Sequence, residues 1–479
     1  MSAPLYDFLK SYRNEKPFPF HMPGHLMGKG LSDILKQAGT LDITEIPGSD
    51  NLHAPEGVIR EAQDLAAGFF GAKKTYFLVN GSTVGIHAMI HAACKPGGRI
   101  LIGRDCHRSV LNAIALLDVE PVFVMPLYDT DLKMPTGYRA EDIASLLDHY
   151  PDISAVLLTR PNYYGFASPL AEIADLVHKK RIPLLIDEAH GAHFIFHDKL
   201  PKTALDMGAD LCVQSLHKTL PAMTQTALLH VGKKSLIDAD KVFTYLSMLQ
   251  TTSPSYVLMA SIDFMRETME REGRVLYSSL YDRLSRFYER LSHLPGIHRV
   301  CVPAGDNPLE PHGNGPCCDF TRLVLSFDGI SGFEAEAFLR TRKNIVVEMA
   351  DLYHIVLIVT PYHTDEDLSA LLEGLMALVQ SSQAHRGVRV CQKPPMALPQ
   401  KQIGVRAALF GKHRELSLKE AAGHISGSAI VPYPPGIPLV YPGEVISSEL
   451  AAYVTEILHA GGTVYGIIGD KIKIVDDIK

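Results

Sequence analysis

Short apolar runs that stop on a polar residue, each separated from the next by a stretch with helical spacing, recur through the first half of this chain. The runs are Thr75–Val79, Arg99–Gly103, Pro121–Met125, Ser154–Thr159, Pro183–Asp187, Leu211–Gln214 and Thr226–Val231. Between them, helical periodicity is clearest at Pro55–Phe70, Thr83–Ala93 and Leu170–Lys180. Strands alternating with helices predict an α/β fold with a mostly parallel sheet and helices on both faces. Such sheets bind ligands outside the carboxyl ends of their strands, so the residues that follow each run are the ones to read for chemistry.

Lys218 follows the run ending at Gln214, in Ser215-Leu-His-Lys218. A lone lysine there reads as a solvated loop residue; its neighbours change that. Asp187 closes another apolar strand, and Asn80-Gly-Ser-Thr83 stands between a strand and a helix. Backbone N–H groups and hydroxyls at such a helix start suit an anion, although the same residues also make an ordinary cap. An amine for a covalent link, an acid for a ring nitrogen and a phosphate cradle are together what pyridoxal phosphate requires. Ser215 and His217 are then candidates for the phosphate. Asp187 would keep the pyridine nitrogen protonated. Ala189, two residues on and small, would leave room for a flat ring. His107, at the end of the run closing at Gly103, could cover the ring's other face or simply cap the following helix.

The chain has 479 residues, enough for two to four domains, and is 46% hydrophobic and 21% charged, an ordinary globular balance. A net charge of −7 without a basic block gives no footing for nucleic acid. Seven cysteines lack metal-ligand spacing, and no N-terminal signal pattern stands out, so reduced thiols and a cytoplasmic protein are expected. Apolar runs such as Ile355–Val359 fall far short of a membrane span.

Around that core, residues 1–40 read as an irregular N-terminal arm, 41–264 as the cofactor-binding major domain and 265–380 as a smaller α+β domain. The smaller unit opens on a helix near Ser261–Leu294, then a turn-rich loop, Pro303–Pro316. Strands at Leu323–Phe327 and Ile345–Glu348 flank a helix at Gly332–Arg340. Residues 381–402, with three prolines, form a linker, and 403–479 a C-terminal α+β domain carrying the Tyr433–Glu444 loop. Three motifs mislead. Gly24–Gly30 lacks the spacing and preceding strand of a phosphate loop, Asp187-Glu-Ala-His190 resembles a helicase box without one, and His190, His193 and His197 would need a fourth ligand to hold zinc, so no metal is expected.

The ordered runs His21-Met-Pro-Gly-His25, Leu52-His-Ala-Pro-Glu-Gly57, Glu61-Ala-Gln63, Val79–Thr83, Arg104–Ser109, Asp187–His190, Ser215–Lys218, Thr251–Tyr256 and Tyr433–Glu444 span nearly the whole chain. In them the sequence resembles the Orn/Lys/Arg decarboxylases of the fold type I pyridoxal phosphate superfamily, particularly the short Gram-positive kind. The resemblance implies decarboxylation of a basic amino acid. It assigns Lys218 to the covalent link, Asp187 to the pyridine nitrogen and His107 to stacking. Gly81, Ser82, Thr83, Ser215 and His217 would hold the phosphate, with Ala189 and His190 beside the ring. It further implies a homodimer or larger homo-oligomer with interfacial sites, to which Thr251, Thr252 and Ser253 would contribute. Leu26 and His354 depart from the family pattern, which has a basic residue and commonly asparagine there, so arginine, lysine and ornithine stay open, with arginine or lysine favoured. Glu348 and Glu444 are candidates for the substrate's distal cation or for structural carboxylates. An aminotransferase, a C–C lyase or a catalytically silent relative would share the fold. A transaminase would hold the α-carboxylate with a small-domain arginine.

Overall fold

Seven apolar segments pair into one sheet: β1 (Lys74–Leu78), β2 (Arg99–Gly103), β3 (Glu120–Val124), β4 (Ile153–Thr159), β5 (Leu184–Asp187), β6 (Leu211–Ser215) and β7 (Ala227–Val231), in the order β1-β7-β6-β5-β4-β2-β3. The computed structural model describes residues 2–16, 19, 22–23, 25–300, 317–382, 397–433 and 436–476, with only the backbone of Cys317. The Pro303–Pro316 loop therefore lies outside the described residues, as do parts of the His21–His25 motif, the 381–402 linker and the Tyr433–Glu444 loop.

β7 runs antiparallel to both its neighbours, and the other six strands share one direction. Every residue of β5 and β6 is buried, as expected for strands covered by helices on both faces. The helix Gly81–Ala93 lies close to the sheet because Gly85 has no side chain. A Cβ there would come 2.7 Å from Val213 Cγ2 and 2.8 Å from Leu78 Cδ1. This close approach sets the helix N-terminus directly above the ends of β1 and β6.

The second unit hangs on the 37-residue helix Tyr256–Ser292. It starts five residues before the expected Ser261, because Ser255 caps it and Tyr256 is buried, its hydroxyl donating to Asp50 O at 2.6 Å. The smaller sheet runs Ile297–Arg299, Arg322–Phe327, His354–Ile358, Met349–Ala350, all antiparallel. The expected strand at Ile345–Glu348 is not one. The preceding helix ends at Asn344 in the left-handed conformation, and Val346 points to solvent, so β-branched residues here sit in a connection. The pairing falls to His354–Ile358, whose apolar run is the stronger signal. Within the arm, Pro4–Asn14 is a regular helix that buries Leu5 and Leu9, with Leu5 N and Tyr6 N donating to Asp263 Oδ2. In the C-terminal unit the helix Ser448–His459 packs over a small sheet of Ile467–Ile468, Lys471–Val475 and His413–Ser417. Cys94, Cys106 and Cys212 are free and buried, but Cys318 is disulfide-bonded, which corrects the expectation of reduced thiols throughout.

Candidate active site

Strand direction gathers the chemistry. Because β1, β2, β5 and β6 point the same way, Gly81–Thr83, His107, Asp187 and Lys218 all emerge at one edge of the sheet. The register is tight: Leu78 pairs with Ala227 and Ala227 with Ser215, so the Gly81 turn and Ser215 flank β7 at one level. Gly81 N donates to Gln225 O, and the Gln225 side chain donates back to Val79 O, which locks the turn.

Lys218 sits in the single helical turn Leu216–Thr219, half-buried, with its Nζ 3.1 Å from His190 Nε2. Burial lowers its pKa and Arg322 adds to that, while Asp187 and Glu348 oppose it. Asp187 is buried, and burial pushes its carboxyl up against the opposing pull of Lys218 and of the Ala189 N–H, 3.1 Å from Oδ1. β5 ends at Asp187, so Ala189 lies in a turn rather than in alternation with it. That corrects the strand argument; what the structure shows of Ala189 is its N–H donated to Asp187 Oδ1.

His107 caps the helix Arg108–Leu117, with Nδ1 accepting from Ser109 N at 3.2 Å and bonded to Ser109 Oγ at 2.8 Å. The residue is exposed. Desolvation, then Lys218 and Arg108, lower its pKa to about 4, so it is a neutral ring. His217 Nδ1 is bonded to Thr226 O at 3.0 Å. Ser215 Oγ is buried with no partner among the described residues, and a Cβ at Gly81 would meet nothing within 4 Å among them. An unpaired hydroxyl, the N-terminus of a 13-residue helix and an aspartate–lysine pair fit pyridoxal phosphate.

The two carboxylates proposed for the substrate part ways. Glu348 is exposed beside the site and accepts from Tyr163 OH at 2.7 Å. Glu444 is buried, and both oxygens are taken by Arg104 at 2.7 Å, with Tyr441 N also donating to it. It is not available to a substrate, and its geometry is that of a structural clamp. The three histidines of the rejected zinc reading also separate: His193 pairs with Asp319 at 3.1 Å, His197 stacks on Tyr281, and Phe194–Phe196 between them is a 3-10 turn. His354 is buried against Asp351, away from Lys218's hydrogen bonds. Thr251, Thr252 and Ser253 are exposed, and Thr251 N donates to Asn80 Oδ1, next to Gly81.

Two residues were missed by sequence reasoning. Tyr163 packs edge-on to His190, ring centres 4.7 Å apart. Arg322, 1% exposed, places Nη2 3.2 Å from His190 Nδ1, and its Nε and Nη1 have no partner among the described residues. A tyrosine after a strand and an arginine opening one carry no distinctive local signal. Tyr163 meets His190 within the major domain, and only the docking of the small domain brings Arg322 to the same histidine.

Comparison with known proteins shows the family and the fold. Residues 3–303 match the family model for the Orn/Lys/Arg decarboxylase major domain, and residues 388–463 the model for its C-terminal domain. The arginine decarboxylase of Bacillus subtilis (strain 168) is 36% identical over 487 residues, covering 100% of this chain and 98% of that one. The lysine decarboxylase LdcA of Pseudomonas aeruginosa is 23% identical, covering 92% of this chain and 73% of that protein. Among solved structures, the Francisella novicida lysine decarboxylase superposes with a TM-score of 0.86 at 20% identity, over 99% of this chain and 81% of that one. The Sphingomonas wittichii serine palmitoyltransferase superposes at 0.55 and 13% identity, over 80% and 85%.

Proposed function

The chain belongs to the Orn/Lys/Arg decarboxylase family, and from that premise we propose that it removes CO2 from arginine with pyridoxal phosphate held by Lys218, Asp187 and the Gly81–Thr83 turn. It is an amino-acid decarboxylase acting on a basic substrate. Arginine is preferred over lysine because the near-full-length relatives at 34–36% identity bear that name, whereas the lysine decarboxylases stand at 22–23%. The observation that carries the cofactor assignment is the convergence of Lys218 and Asp187 at the carboxyl ends of adjacent parallel strands.

When bound, pyridoxal phosphate supplies an electron sink for the pair left on Cα as CO2 departs. The protein does the rest. Ser215, Ser82, Thr83 and His217, with the N–H groups of the helix start, hold the phosphate. Asp187 keeps a positive charge on the ring nitrogen, which its buried position makes an effective partner. His107, neutral, covers one ring face. Glu348, steadied by Tyr163, receives the distal cation, and a carboxylate there suits a guanidinium in bidentate fashion. One proton replaces the lost carboxylate on Cα, and Lys218 Nζ is the group placed to hold it. A homodimer in which Thr251–Ser253 reach the partner's site, in the cytoplasm, completes the reading. Those residues are exposed beside the phosphate turn, and no helix among the described residues is long and apolar enough to cross a membrane.

The test is CO2 release with arginine, lysine and ornithine in turn, alongside the visible spectrum. Agmatine and CO2 from arginine, with a visible band lost in Lys218→Ala, is the expected result. An oxo acid instead of CO2 would hand the site to an aminotransferase and give the unpaired N–H groups of Arg322 the α-carboxylate. A protein that stays colourless with added cofactor would overturn the assignment of Lys218.

A further inference from the structure

Arg322 opens the small-domain strand Arg322–Phe327 and is fully buried. The turn of the major domain facing it makes room through Gly165, at φ +90°, where a Cβ would come 2.8 Å from Arg322 Cβ. Arg322 Nη2 lies 3.2 Å from His190 Nδ1, and His190 Nε2 lies 3.1 Å from Lys218 Nζ. Three nitrogen-bearing side chains from two domains thus form one line.

Their protons have a single consistent arrangement. A guanidinium only donates, so Nδ1 must accept. A neutral imidazole then carries its proton on Nε2, an assignment made from the network. That N–H points at Nζ, so Nζ must accept, which an uncharged amine does and an ammonium does not. A doubly protonated ring would set N–H against N–H at Arg322, and a charged Lys218 would do so at Nε2. Burial, then Lys218 and Arg322, push His190's pKa well below the usual range, consistent with a neutral ring.

We propose that Arg322 is a positioning residue for Lys218: by donating to His190 Nδ1 it fixes the Nε2–H tautomer, and that tautomer holds Nζ as a free amine. The free amine is the nucleophilic form. Its attack on a carbonyl replaces the C=O double bond with a C=N double bond, and the oxygen leaves with the two amine hydrogens as water. Other groups face Lys218 too: Asp187 from β5, His107 from the loop after β2 and Glu348 from the small domain. Behind His190 stand His193 and, paired with it, Asp319. Asp187 and Glu348 favour the ammonium, and Arg322 through His190 opposes them.

The use of this arrangement rests on Lys218 being the cofactor-bearing amine; its existence does not, so the test needs neither cofactor nor substrate. The full chain, stripped of cofactor, is acetylated with trace acetic anhydride from neutral to alkaline pH. Mass spectrometry reads the midpoint at which Lys218 becomes reactive, against the exposed lysines of the same chain. Wild-type Lys218 reacts with a lower midpoint than those lysines. Arg322→Met raises it by about one pH unit or more. Arg322→Lys, still a pure donor, keeps it near wild type. With His190→Ala already in place, Arg322→Met adds less than half that rise, because its path runs through the ring. An unchanged midpoint in Arg322→Met, a rise in Arg322→Lys as large as that in Arg322→Met, or an added rise of half or more in the His190→Ala background would each overturn the proposal. Should Arg322→Met misfold, seen as altered labelling of the other lysines, His190→Ala decides alone: its midpoint must rise, and one that stays at the wild-type value refutes the relay.

Discussion

Glu444→Gln separates a clamp from a substrate contact. The Arg104 guanidinium makes two hydrogen bonds of 2.7 Å to Glu444 and one of 3.0 Å to Leu439 O, and it lies 4.5 Å from the Phe123 ring centre and 4.3 Å from that of Tyr441. The side chains of Arg104 and Glu444 are 7% and 4% exposed, so solvent does little to screen the pair. Glutamine keeps the volume and one acceptor, but its amide sets N–H against N–H at the second corner and leaves a buried cation uncompensated. Breaking a buried pair in this way costs about 3–5 kcal/mol. The loss falls on the attachment of the C-terminal unit to the loop after β2, the loop that presents His107. Native-state hydrogen exchange over residues 404–476, read by mass spectrometry, is the assay, since a chain of several domains has no single unfolding transition. At about 1.4 kcal/mol per tenfold, exchange through opening of this unit accelerates by roughly 10² to 10³·⁵. Acceleration under about tenfold, the response expected of a solvated pair, would refute the clamp. A raised KM for arginine with exchange unchanged would return Glu444 to the substrate site.

Three further outcomes follow from the geometry. Asp187→Asn lowers turnover by about 10²–10³-fold or more with hydrogen exchange of the sheet unchanged, because a preorganised charge is lost in a buried site; turnover within tenfold of wild type would remove Asp187 from its role. Glu188, buried beside Arg160, Gln214 and Cys212, has its pKa raised by burial to about 7. The folded state therefore holds that proton at pH values where the unfolded chain has lost it, and this contribution to stability falls as pH rises from about 4.5 to about 7. Opening free energies of the β5 and β6 amides, read by native-state hydrogen exchange at the two ends of that window, should differ less in Glu188→Gln than in wild type, by up to about 3 kcal/mol; equal differences would show that Glu188 does not titrate there. Gly85→Ala should force the Gly81–Ala93 helix off the sheet, at about 1–3 kcal/mol of overpacking, and weaken pyridoxal phosphate binding more than stability alone accounts for. Equilibrium dialysis checks the second effect, and unchanged affinity would mean the helix does not need its close seat.

What could be read from the linear chain was whatever local physics sets. Apolar runs of strand length separated by helical spacing specify an α/β sheet, and Lys218 and Asp187 could be placed because a residue at a strand's end is located by the strand itself. Ser215 and the Gly81 turn were legible for the same reason. The errors came where a neighbour distant in sequence decides. Ile345–Glu348 has strand composition, but Asn344 turns the chain and the edge position goes to Met349–Ala350. Pro4–Asn14 is held as a helix by Asp263 in the long helix. Glu348 and Glu444 look alike in sequence, but the packing of Arg104 against the C-terminal unit buries Glu444, whereas Glu348 stays exposed with Tyr163 donating to it. Arg322 joins the site only through docking of the small domain, because a guanidinium's partners are fixed by contact across domains and not by its place along a strand.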